Sequence, residues 1–132
     1  KRGRNNRQCR LFRASKDAEG GEGWKPLWSR EVPILAFTLV LANPVEKNRG
    51  EVATRLLAAG PPVEANTDPG AYSGKSGGLL LSIDPGTGDI ASRTALESVP
   101  VHDGLCAADS RVVLSTRRGT VAVFCGPENS GQ

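Results

Sequence analysis

Apolar and polar residues alternate in short bursts along the second half of the chain, at the spacing of strands rather than helices. Residues 77–84 (GGLLLSID) form a compact apolar run. The PGTG that follows at 85–88 is a turn signal, with Pro favoured at the second turn position and Gly able to take a positive φ. DIASRTAL at 89–96 sets Ile90, Ser92, Thr94 and Leu96 on one face by period two. After ESVP come VHDGLCAA, a turn at Asp109-Ser110, RVVLST at 111–116, a turn at 117–119 (RRG) and TVAVFC at 120–125. Strands of four to eight residues, about ten residues apart, predict an all-β chain. EVATRLLAAG at 51–60 has Val52, Leu56 and Ala59 at helical spacing, but it is short, and its second half is read as strand. RLFRAS at 10–15 is read as the last strand of a preceding unit.

The apolar runs also repeat. Val32-Pro33-Ile34 aligns with Val99-Pro100-Val101, and Leu41-Ala42-Asn43 with Ala107-Ala108-Asp109. Arg55–Ala59 aligns with Arg111–Ser115, and Gly78–Ile83 with Gly119–Phe124. The first copy carries two polar or Gly/Pro-rich insertions, 43–54 and 61–76, which belong on loops. Without them each copy is a four-stranded unit of roughly 40 to 50 residues, the period of a β-propeller blade. The expected division is a basic arm (1–16), a first blade (17–84), a second blade (85–126) and a tail (127–132). Such a sheet buries both faces only by stacking between two others, and closed rings take about 4 to 8 blades. Two blades cannot close a ring, so other blades or other chains are expected to cover the outer faces.

Composition changes this picture in three places. The 132 residues suit one domain. The longest apolar run, 33–42, has ten residues, against the roughly 20 needed for a spanning helix. The opening at Lys1, without Met and without a signal-peptide pattern, is read as a processed product or a piece of a longer chain. The formal charge of +3 is unevenly placed: residues 1–16 hold seven basic groups and no acid, whereas the remainder holds ten basic and fourteen acidic. Such an arm can bind anionic polymers by counterion release. Its one aromatic, Phe12, gives no interleaved stacking pattern, and nucleic acid is not the expected partner.

SIDPGTGDIAS at 82–92 resembles the repeat signature A-x-D-x-x-T-G-K-x-x-W of pyrroloquinoline-quinone (PQQ)-like β-propellers. Asp84, Thr87 and Gly88 match it; Ser82, Asp89 and Ser92 depart from it. Trp28 is read as the docking Trp of the first copy. The combination of AGPP at 59–62, GGLLLSID at 77–84 with TG at 87–88, PVHDGL at 100–105 and RVVLST at 111–116 further resembles the C-terminal part of large envelope-associated PQQ-like repeat proteins of planctomycete type, and the resemblance covers about residues 24–126. The resemblance implies an incomplete propeller of about two antiparallel blades, located in the cell envelope, the periplasm or outside the cell. Some members of the family are quinoprotein dehydrogenases that hold PQQ and calcium. Others, similar to the outer-membrane assembly lipoprotein BamB, bind proteins. None of the dehydrogenases' catalytic, calcium or quinone-stacking residues can be matched here, so no catalytic residue, cofactor or metal is assigned. The expected role is a non-catalytic scaffold or protein-binding surface, with the remaining blades or another protein as partner. Two alternatives stand beside it: part of a quinoprotein dehydrogenase whose site lies in missing blades, and an anionic-polymer binder acting through the arm.

Individual residues invite other chemistry. His102 and Asp103 are adjacent on a strand and so point to opposite faces, and Asp103-Gly104 is read as a loop entering the next strand. Gly74-Lys75-Ser76 lacks the Gly spacing and the following helix of a phosphate loop. Asp84 and Asp89 bracket PGTG without the ligand pattern of a calcium hand; Asp84 is expected to accept hydrogen bonds from turn amides. Cys106 and Cys125 are placed on the second and fourth strands of one blade, too far apart for the ~7 Å Cα limit of a disulfide. Cys106 is expected to be a small buried apolar residue, and Cys9 is left in the arm. Long loops on rigid scaffolds concentrate binding, which makes Glu64, Asp68, Tyr72 and Lys75 a candidate binding loop.

Overall fold

Nine strands make up the regular structure in the computed structural model, which describes residues 9–16, 23–42, 54–63, 73, 75–108 and 111–125. They are β1 (Cys9–Lys16), β2 (Trp24–Val32), β3 (Thr38–Ala42), β4 (Arg55–Gly60) and β5 (Gly78–Ile83), then β6 (Ile90–Leu96), β7 (Pro100–Ala108), β8 (Arg111–Thr116) and β9 (Val121–Cys125). The fold is all-β, and every described pairing is antiparallel. The strands form three sheets ordered β1-β2, β3-β4-β5-β6 and β7-β8-β9.

The four-stranded sheet lies between the other two. On one face Leu57, Ala59, Leu80 and Leu96 meet Leu105 and Leu114 of the three-stranded sheet. On the other, Ala58, Leu81 and Ile83 meet Val32 with Cys9 and Leu11 of the two-stranded sheet. β4 and β5 are therefore buried on both sides, which is why RLLAAG and GLLLSI read as continuous aliphatics. The strands aligned by the internal repeat take the same ordinal places: β3 with β7 first, β4 with β8 second and β5 with β9 third.

The grouping of strands differs from the sequence division. β6 is the fourth strand of the same sheet as β5, so a line between 84 and 85 runs through the β5–β6 hairpin. The second sheet begins at β7 and has three strands among the described residues, not four. RLFRAS belongs to β1, which pairs with β2 in a sheet of its own, so residues 9–16 of the basic segment are strand. Residues 1–8 and 127–132 lie outside the described residues, as do 43–53 and most of 61–76.

Two bulges revise the assignment of faces. Ser82 pairs with Ser92 and Ile83 with Ile90, leaving Ala91 as an extra residue. Ile90 therefore packs toward the two-stranded sheet and Leu96 toward the three-stranded one, although period two put them on one face. In β7, the register slips between Pro100 and Leu105, and Asp103 takes a φ of 56°. Asp103-Gly104 is thus a bulge inside one strand, not a loop before it.

Candidate functional site

The turn between β5 and β6 closes locally. Gly86 N–H donates to Asp84 Oδ1 at 2.8 Å, Gly88 N–H to the Asp84 carbonyl at 2.7 Å, and Asp89 N–H to Thr87 Oγ1 at 3.3 Å. Asp84 and Thr87 thereby satisfy amides that a four-residue reversal would leave open. Gly88 ends the turn at a φ of 80°, a conformation that costs a side-chain-bearing residue steric strain.

This turn is also where two sheets meet. Trp28, on β2, lays its indole over Gly88, where a Cβ would come within 2.6 Å of the ring. Its Nε1–H donates to the Pro85 carbonyl at 2.8 Å. Arg13 Nη1 donates to the same carbonyl, also at 2.8 Å. β1 and β2 set these two side chains next to one another, since Arg13 is the cross-strand partner of Trp28. Arg30 flanks the glycine with its Cγ and reaches Asp89 at 3.7 Å, both groups being well exposed. The structure therefore brings Trp28, Asp84, Thr87 and Gly88 to one junction and adds Arg13 and Arg30. Pairing across strands is the signal that identifies Arg13, and it became readable only once the β1–β2 register was known. No protein-family model matches the chain, and neither does any curated protein or solved structure.

Trp28→Phe removes the indole N–H together with part of the ring system packed over Gly88. It is expected to lower stability by about 2 kcal/mol, roughly 1 from the hydrogen bond and a similar amount from lost packing. The hydrogen-bond share stays small because Arg13 continues to occupy the Pro85 carbonyl. Equilibrium urea unfolding checks the value.

The other candidate residues do not converge there. Lys75 is exposed ahead of β5, while Glu64, Asp68, Tyr72 and Gly74 lie outside the described residues. His102 stacks on Phe37, with ring centroids 4.2 Å apart and planes 21° off parallel. Asp103 N–H donates to the Phe37 carbonyl at 3.3 Å. These contacts tie the β7 bulge to the residues before β3.

Cys106 and Cys125 lie on the first and third strands of their sheet, with β8 between them. Cys106 is exposed, not buried, because it shares a cross-strand row with Val113 and Val123 on the outer face. Cys9 is half-buried on β1, against the two-stranded interface. All three thiols are free. Among the described residues no three His, Cys, Asp or Glu side chains gather as a metal cage, and no helix is long and apolar enough to cross a membrane.

Proposed function

We propose that this chain is a non-catalytic segment of a PQQ-like β-propeller repeat protein, working as a scaffold or protein-binding surface. The observation that carries this reading is the Trp28 junction. An indole from one sheet docks on the Gly88 turn of the next and hydrogen-bonds the Pro85 carbonyl within the segment that resembles the repeat signature. Stacking of three sheets face to face, with buried aliphatics in both interfaces, supports the same architecture. The groups converging at the junction are the Trp28 indole, the Arg13 and Arg30 side chains, the Pro85 carbonyl and Gly88. They hold the sheets together, and the Asp84 carboxylate and Thr87 hydroxyl beside them are engaged by amides of their own turn. The family resemblance extends the proposal to a place in the cell envelope, the periplasm or outside the cell, with further blades or another protein as partner.

Titration of the full chain with PQQ and calcium, read by quinone absorbance, tests the non-catalytic assignment. No saturable change is expected. Saturable, stoichiometric binding overturns it in favour of a piece of a quinoprotein dehydrogenase.

A further inference from the structure

Two cross-strand rows of the four-stranded sheet run from complete burial to open surface. On the face toward β1 and β2, Leu81 and Ala58 are 0% exposed, whereas Leu39, next in the same row, is 51% exposed. The neighbouring row passes from Ile83 at 1%, through half-buried Leu56, to Leu41 at 63%. The cause is strand number: a sheet of two covers only part of a sheet of four, and β3 lies beyond its reach. The opposite face of β3 is covered, since Thr38 is buried and β7 packs alongside. Beside β1 the uncovered part opens as a cleft of about 610 Å³ lined by Phe12, Trp28, Leu41, Leu56 and Pro85 among others. β1 itself pairs with β2 alone among the described strands, so its other edge borders this cleft without a strand partner.

The far end of the stack shows the matching condition. The outer face of β7–β9 carries Val121 at 64% and Val123 at 54% exposure, with half-buried Val113 and exposed Cys106 in the Val123 row. Among the described strands β9 is likewise an edge. Exposed aliphatic sheet faces of this kind mark interaction surfaces.

We infer that copies of this chain associate head to tail, the outer face of β7–β9 of one copy seating on the exposed Leu39 and in the adjoining cleft at Leu41 of the next. This deepens the scaffold reading above, on which it rests, by naming the partner as a second copy. What the cleft lacks is an aliphatic strand layer stacked on β3, in continuity with the existing β1–β2 layer. The chain carries such a layer, already packed on this sheet by its inner residues Leu105 and Leu114 and free on its outer side. Donor and acceptor are different surfaces, so the contact is heterologous and propagates into a ring or a filament.

Sedimentation velocity on the full chain, with Leu41→Lys and Val123→Lys variants, tests this. Wild type is expected to form species larger than a dimer. Each variant alone is expected to be monomeric, with affinity weakened at least tenfold. An equimolar mixture of the two is expected to stop at a heterodimer, because one intact junction remains. Both positions are more than half exposed, so folding should survive, and Leu39→Lys serves as a second acceptor variant should Leu41→Lys fail to fold. A wild-type monomer at all concentrations overturns the inference, as does a mixture that fails to associate or single variants that still assemble. Those outcomes leave the scaffold reading standing; that reading is tested separately by the PQQ titration.

Discussion

Gly60→Ala is expected to lower stability by at least about 4 kcal/mol, a large share of the roughly 5 to 15 kcal/mol that holds an ordinary domain folded. Gly60 ends β4 where the chain before β3 crosses it, and a Cβ built there would lie 1.6 Å from the Leu35 carbonyl oxygen. That oxygen is backbone, so no rotamer change relieves the overlap. The crossing segment would have to lift away, and it is tied down on both sides of the glycine. Leu35 N–H donates to the Pro61 carbonyl at 2.9 Å, Phe37 N–H to the Ala59 carbonyl at 2.9 Å, and Val63 N–H to the Pro33 carbonyl at 3.0 Å. Losing these at about 1 kcal/mol each, together with part of the burial of Ile34, whose side chain is fully enclosed, gives the expected magnitude. Thermal unfolding followed by circular dichroism checks it; a melting temperature within a few degrees of wild type would show that the crossing relaxes without cost.

Gly88→Val is expected to cost about 3 kcal/mol. Roughly 1 to 2 kcal/mol comes from holding an L-residue at positive φ, and a comparable amount from overpacking against the Trp28 ring. Gly119 provides the control. Its φ is 79°, nearly that of Gly88, but a Cβ there meets nothing within 4 Å. Gly119→Val should therefore show the backbone strain alone, and the difference between the two variants measures the docking contact. Equal losses at both sites would mean that Trp28 moves aside freely and that the junction does not hold the sheets together. Tryptophan fluorescence of Gly88→Val in the folded state gives a second readout, since the displaced indole becomes wetter.

The junction was only partly legible in the sequence. Asp84, Thr87 and Gly88 fall in one turn, and turn chemistry is local: a carboxylate, a hydroxyl and a glycine at fixed offsets satisfy the same few amides wherever the turn sits. Trp28 stood out as an aromatic at the right distance from the repeat. Arg13 did not, because its role depends on being paired across strands with Trp28, beside the irregularity between Arg13 and Ala14. Cys106 was misplaced for a related reason. It belongs to an apolar row, yet in the described structure nothing lies over that row, and a residue's own sequence neighbours say nothing about whether a further layer exists.

The same division holds for the fold. Alternation and turn residues determined, from sequence alone, that this chain is all-β and where its strands from 77 to 125 lie. Those features arise from interactions between residues a few positions apart. Which hairpins join into one sheet was decided by the tertiary structure, as in the pairing of β6 with β5 across the expected boundary. So were the two bulges that turn Ile90 and Asp103 from their expected settings, and the exposure of Leu39 and Leu41. Strand pairing and layer coverage are set by which aliphatic face finds a partner at long range, and the periodicity of a strand is the same whether its outward face is covered or bare.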